Sequence, residues 1–167
     1  IMGKPFKGEL KKLSETILWA EQQDVTRLAR FLFTENKQIP LVCIGSGGSF
    51  SACHYAAQLY QQFNGVLALA MTPLQLMFAG HNIIRSSKLL FLSASGKNKD
   101  ILNAVKYGVK YNETGMMSLT LRKNNPTEEL LNQYPKVLHW CEDIPNEKDG
   151  FLATNSLLAT FTLLNRS

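Results

Sequence analysis

Leu89-Leu90-Phe91-Leu92-Ser93-Ala94-Ser95-Gly96-Lys97-Asn98 is the stretch that decides the fold. An unbroken apolar run gives way to small hydroxyl residues and a glycine. A helical pattern follows, with Ile101, Leu102, Val105 and Val109 on one side. Apolar runs without alternation belong to strands buried on both faces, as in parallel sheets. The same order of events occurs upstream. Leu41-Val42-Cys43-Ile44 runs into Gly45-Ser46-Gly47-Gly48-Ser49, and a helical pattern follows over 50–63. Strand ends of an open parallel sheet share one edge, where such sheets bind ligands. Two glycine- and hydroxyl-rich turns on that edge form an anion pocket, most simply one for phosphate.

Outward from these turns, residues 6–33 predict a helix in two pieces, with Asp24 and Thr26 at the break. The helix over 50–63 places Ala52, Cys53, Ala56, Ala57, Leu59 and Tyr60 inward, and Asn64-Gly65 stops it. The run 66–71 predicts a second strand, buried on both faces. Thr72-Pro73 opens a short helix through Phe78, and 88–92 is the third strand. A helix over 99–111 and a strand over 116–121 follow. Asn125-Pro126-Thr127-Glu128 starts a helix, with Asn125 as cap and Glu128 reaching back. A fifth strand over 136–140 and a final helix over 150–164 complete the pattern. The expected fold class is α/β: a flavodoxin-like three-layer αβα sandwich on a five-stranded parallel sheet, with the N-terminal helix packed outside.

The chain has 167 residues, 45% of them hydrophobic and 19% charged, which suits one globular domain over 1–167. Ile1 precedes Met2 and the last helical pattern stops at Arg166-Ser167, so a domain excised from a longer chain is the expectation. The net charge of +5 is spread without a basic stripe carrying exposed aromatics, which argues against nucleic acid. No stretch reads as a membrane span or signal peptide. Cys43, Cys53 and Cys141 are odd in number and lack a CxxC pair; buried free thiols and a cytoplasmic location are expected.

The first turn fits G-x-G at Gly45 and Gly47, but Phe50 stands where a dinucleotide fingerprint needs its third glycine. The acidic residue expected after the second strand is missing, since Ala70, Met71 and Thr72 fill that region. Gly96-Lys97 is followed by Asn98 rather than Ser or Thr, so a P-loop fails too. No His, Cys, Asp or Glu spacing suits a metal, and neither metal nor cofactor is expected.

Gly47-Gly48-Ser49 and the segment from Ser93 to Leu102 resemble the two signature segments of the sugar isomerase (SIS) domain family. The segment from Glu147 to Ser156 is similar to the stretch that opens that family's last helix. The resemblance covers nearly the whole chain. It implies a SIS-type fold that binds the phosphate of a sugar through Gly47, Gly48, Ser49, Ser93, Ser95, Gly96, Lys97 and Asn98. It also implies pairing, as a homodimer or with a tandem SIS copy. Three features depart from the family pattern: Ala94 replaces a polar residue, Lys97 and Asn98 replace Glu and a hydroxyl residue, and the spacing around Glu147 differs. Asn98 can still donate from its amide, and Lys97 adds charge.

Aldose–ketose isomerisation moves a proton between adjacent carbons, so it needs a base. Glu147, ahead of the last helix, is the candidate base, and His54, one turn into the helix after the first loop, is a second catalytic candidate. His81 reads as a loop residue within reach of a partner copy, and His139 as a strand residue. Three functions follow: a phosphosugar isomerase, including the aminotransferring kind; a sugar-phosphate sensor without chemistry; and a dimerisation module with an empty site.

Overall fold

A computed structural model describes residues 6–33, 38–145, 149 and 152–167. Three short helices open the chain: α1 (Phe6–Leu10), α2 (Leu13–Glu21) and α3 (Thr26–Leu32). Strands and helices then alternate through β1 (Leu41–Ile44), α4 (Gly48–Asn64), β2 (Ala68–Met71), α5 (Pro73–Phe78), α6 (His81–Ser86) and β3 (Lys88–Ser93). The chain ends with α7 (Lys99–Tyr111), β4 (Met116–Thr120), α8 (Pro126–Leu131), β5 (Leu138–Cys141) and α9 (Asn155–Arg166).

All strand pairs are parallel and the sheet order is β2-β1-β3-β4-β5. Successive strand residues turn to opposite faces, and both faces are covered. Leu41, Cys43, Leu90, Leu92, Met117 and Leu119 join the core shared with α2, α3, α4 and α9. Val42, Ile44, Leu89, Phe91 and Met116 face the core under α5, α6, α7 and α8. The predicted αβα sandwich is thus present.

Several local expectations change. The N-terminal helix is in three pieces. The Asp24–Thr26 break is real, and Thr26 N–H donates to Asp24 Oδ1 at 2.9 Å. These helices join the α4 and α9 layer, where α2 packs on α9 and Trp19 meets Trp140 of β5 edge-on. The second strand is an edge strand rather than one buried on both faces, and Leu69 within it and Leu67 just before it stay exposed. An apolar run marks a strand, but only sheet order decides whether a neighbour covers it. Helix α6 lies in a stretch without a strong apolar stripe and was not expected; it takes in His81, read as a loop residue. Gly65 ends α4 in the left-handed conformation at φ 64°, as the Asn64-Gly65 pair predicts.

Candidate functional site at the sheet edge

In this strand order the chain reverses its direction of winding between β1 and β3. That switch point opens a crevice at the carboxyl ends of the strands. The two turns singled out in the sequence follow these two strands, so topology places them side by side.

A cavity of about 500 Å³ opens on this edge. Gly48 lines it from the β1 side, Ser95 and Lys97 from β3, Arg122 from β4, and Asp149 and Ser156 from the approach to α9. Gly48 is the first residue of α4 and has little room to spare. A Cβ on it would collide with Ala153, because the segment before α9 lies directly on this turn. Gly47 caps α4 at φ 55° and contributes no side chain. Gly47, the cap residue, has no side chain to close α4, and Gly48 at the first position of this 17-residue helix lines the crevice, so the positive end of the helix lies there.

The other helix starts on this edge are closed by side chains. Asn98 Oδ1 accepts from the N–H groups of Asp100 and Ile101, and its Nδ2 donates to Ser46 Oγ at 3.2 Å. Asn98 therefore caps α7 and ties the β3 loop to the β1 loop. Asn125 repeats the device one strand further on. Its Oδ1 caps α8 through Thr127 and Glu128, and its Nδ2 donates to the Arg122 carbonyl at 2.6 Å. Glu128 reaches back, as expected, but to Asn124 N–H rather than to the cap residue.

Ser93 and Ser95 organise their own turn. Ser93 Oγ accepts from Gly96 N–H at 3.1 Å, and Ser95 Oγ accepts from Lys97 N–H at 3.3 Å. Ser93 is buried, whereas Ser95 lines the cavity. Gly96 sits at φ 63°, and a Cβ there would strike the Asn125 side chain. Its carbonyl accepts from both Thr127 N–H and Thr127 Oγ1, the latter at 2.8 Å. Leu121 N–H bonds the Ala94 carbonyl at 3.1 Å, which joins the β3 and β4 loops again.

The far wall is built around Asp149. Its carboxylate accepts from the N–H groups of Thr154, Asn155 and Ser156, and from the Ser156 hydroxyl. This cap explains why α9 begins at Asn155 rather than at residue 150 as predicted. The wall continues into a buried polar cluster. Thr154 Oγ1 donates to Glu9 Oε2 at 3.0 Å, and Thr16 Oγ1 donates to Asn155 Oδ1 at 2.7 Å.

Arg122, Lys123 and Asp149 carry charge at the cavity and were missed in the sequence. Arg122 Nη1 donates to the Ile144 carbonyl at 2.9 Å, and Lys123 pairs with Glu142 at 2.5 Å. Glu147, the candidate base, lies outside the described residues. His54 is exposed, packs edge-on against Phe50 and is not among the cavity-lining residues. His81 bonds Tyr107 at 2.8 Å and stacks on Tyr111, on the α6–α7 surface. His139 lies in β5, as expected. Burial pushes the Cys43 and Cys53 thiols well up, and raises half-buried Cys141 to about 11. Among the described residues no cluster of His, Cys, Asp and Glu could hold a metal ion, and no helix is long and apolar enough to cross a membrane.

No family model and no curated protein matches the chain in sequence. Solved structures do match in fold. A candidate phosphosugar isomerase involved in capsule formation from Bacteroides fragilis superposes with a TM-score of 0.72 at 18% identity, over 96% of this chain and 86% of that one. Tagatose-6-phosphate ketose/aldose isomerase from Escherichia coli gives 0.74 at 17% identity, over 93% of this chain and 44% of that one. The Vibrio vulnificus NanR protein, solved with ManNAc-6P, gives 0.66 at 17% identity, over 96% and 57%. The chain therefore spans most of the first structure and about half of the other two. The fold expected from the two turns, that of the sugar isomerase domain, is the fold of this chain.

Proposed function

We propose that this chain is a phosphosugar-binding domain that receives the phosphate at the start of α4. The observation that carries this reading is the α4 N-terminus, capped by a glycine without a side chain and opening into a cavity shared with Ser95 and Lys97. Backbone N–H groups aimed at a cavity, with hydroxyl donors alongside, suit a phosphate monoester. Gly47 and Gly48 keep that approach clear, and Ser49 lies in the same first turn. Ser93, Gly96 and Asn98 shape the cup through the bonds described above. The fold relatives that carry sugar-phosphate names support the same choice of ligand.

In the catalytic form of this reading, Glu147 moves the proton of an aldose–ketose isomerisation. A second reading, binding without chemistry, draws support from Asp149. It is the one carboxylate among the described cavity-lining residues, and its oxygens already hold the start of α9. Pairing with a second copy belongs to the proposal as well. Leu67, Leu74 and Phe78 are exposed along β2 and α5, with Phe78 at 88%. A cytoplasmic location fits the free thiols.

The test is thermal unfolding of the whole chain with hexose, pentose and amino-sugar phosphates. A ligand at about 100 times its dissociation constant adds about 2.7 kcal/mol. Ser95→Ala should weaken the response, and no response to any phosphorylated sugar would refute the reading. Glu147→Gln separates the two forms: an isomerase loses turnover, whereas a sensor has none and keeps its affinity.

A further inference from the structure

Charge is missing from one whole stretch of the chain. From Gln38 to Ile84 there is no Asp, Glu, Lys or Arg, so all 18 basic and 13 acidic residues lie outside it. The stretch holds β1, α4, β2, α5 and most of α6, and β2 forms one edge of the sheet. Edge strands present free backbone N–H and C=O groups, and folded proteins commonly guard them with charge or cover them. The opposite edge follows that rule. Arg27 and Arg30 line the groove beside Leu138 and His139 of β5, and Lys136 and Glu142 flank that strand in sequence. At β2 no such guard is present, and Leu67, Leu69, Leu74 and Phe78 are exposed instead.

The backbone shows what this edge offers. Leu41 N–H bonds the Leu67 carbonyl at 3.1 Å, and Gly45 N–H bonds the Met71 carbonyl at 3.2 Å. Backbone groups alternate in direction along a strand, so Leu69 also turns toward β1, while Ala68 and Ala70 turn outward. Among the described residues no backbone bond reaches these outward groups. A lipid surface would leave them unmet, because hydrocarbon has neither donor nor acceptor. Another strand meets them. Copies of a chain with net charge +5 repel one another, and an edge without charge is where two copies approach most easily.

Resting on the pairing proposed above, and independent of the ligand reading, we infer that two copies join through their β2 edges, antiparallel about a two-fold axis. Such a contact is self-complementary and closes at two copies. The two sheets become one. Ala68 exchanges backbone bonds with the partner's Ala70, and Leu69 lies on the axis against the partner's Leu69. That places Leu69 in a non-hydrogen-bonded pair, with Cα atoms about 4.5 Å apart, a separation that a disulfide can span.

Sedimentation velocity and oxidative cross-linking of the whole chain test this. The parent chain should sediment as a dimer. Leu69→Cys should give a covalent dimer under mild oxidation, whereas the parent and Leu138→Cys, on the other edge, should not. Leu69→Lys sets two ammonium groups together on the axis and should weaken dimerisation at least about tenfold. Leu69 is partly exposed, so both variants should fold, and thermal unfolding checks this. Should Leu69→Lys fail to fold, the cross-link decides alone. No cross-link at Leu69, an equal one at Leu138, or unchanged dimerisation in folded Leu69→Lys would overturn the inference and leave pairing by another face standing. A parent chain that stays monomeric at every concentration would refute the pairing as well, without touching the ligand reading.

Discussion

The side-chain amide of Asn98 donates to the hydroxyl of Ser46 at 3.2 Å, while its oxygen accepts from Asp100 and Ile101 N–H. One side chain thus starts a helix and fastens two loops from neighbouring strands. The two jobs separate by substitution. Asn98→Asp keeps the capping oxygen and loses the donor to Ser46. Its unfolding free energy in urea should stay within about 0.5 kcal/mol of the parent, while Asn98→Ala loses about 1 kcal/mol. Both variants should bind sugar phosphate more weakly, because the β1 loop is released. Full affinity in Asn98→Asp would show that the bridge does not shape the site.

Gly96 joins the β3 loop to α8 at φ 63°, with Asn125 where a side chain would go. Gly96→Ala should cost more than about 1 kcal/mol in urea unfolding, from backbone strain and the collision together. Gly47→Ala is the control. Gly47 also has a positive φ, 55°, but open space around its Cβ position, so strain alone applies and the loss should be smaller.

Gly48 meets Ala153 where α4 begins. Gly48→Ala must push the segment before α9 outward or twist the α4 start. The expected result is a loss of sugar-phosphate affinity of at least about tenfold, with a smaller change in stability, measured by titration and urea unfolding. Unchanged affinity would place the phosphate elsewhere.

Asp149 caps α9 from five residues and more upstream. Asp149→Ala should cost about 1–2 kcal/mol, read by urea unfolding. The loss should extend to α1 and α2, which meet α9's first turn through Glu9 and Thr16, and hydrogen exchange in these helices would report it.

The thiol of Cys141 is raised to about 11, first by burial, and it donates to the Arg122 carbonyl at 2.9 Å. The native protein therefore keeps this proton where the unfolded chain, at an ordinary 9.0, gives it up. That contribution to stability is complete below about pH 9 and falls away as pH rises toward 11. At pH 8, alkylation of Cys141 in the native protein should be roughly a hundredfold slower than in urea, and Cys43 and Cys53 should not react. Rapid native labelling of Cys43 would contradict the packing of β1.

The strands were legible because unbroken apolar runs leave few alternatives, as in 41–44 and 88–92. Their order was not. Leu67 and Leu69 look as buried in sequence as Leu89 and Leu90, and only pairing in the sheet tells edge from centre. The β1 and β3 turns were legible from their glycines and hydroxyls. Arg122 and Lys123 were not, because Leu121-Arg122-Lys123-Asn124 reads like any solvated loop until the Leu121–Ala94 bond brings it to the cavity. Asp149 was hidden for another reason. A cap is sought next to the helix it closes, and here several residues intervene. Asn125 shows the reverse limit: sequence marked it as a helix starter, but its amide also bonds the Arg122 carbonyl outside its own helix.

The cavity draws its walls from residues spread between 48 and 156. No short peptide contains it, and no single strand with its loop supplies more than a fragment. Recognition therefore requires α9 seated against α4, and a recombinant piece lacking either helix should be blind to the ligand even where its remaining strands still pair.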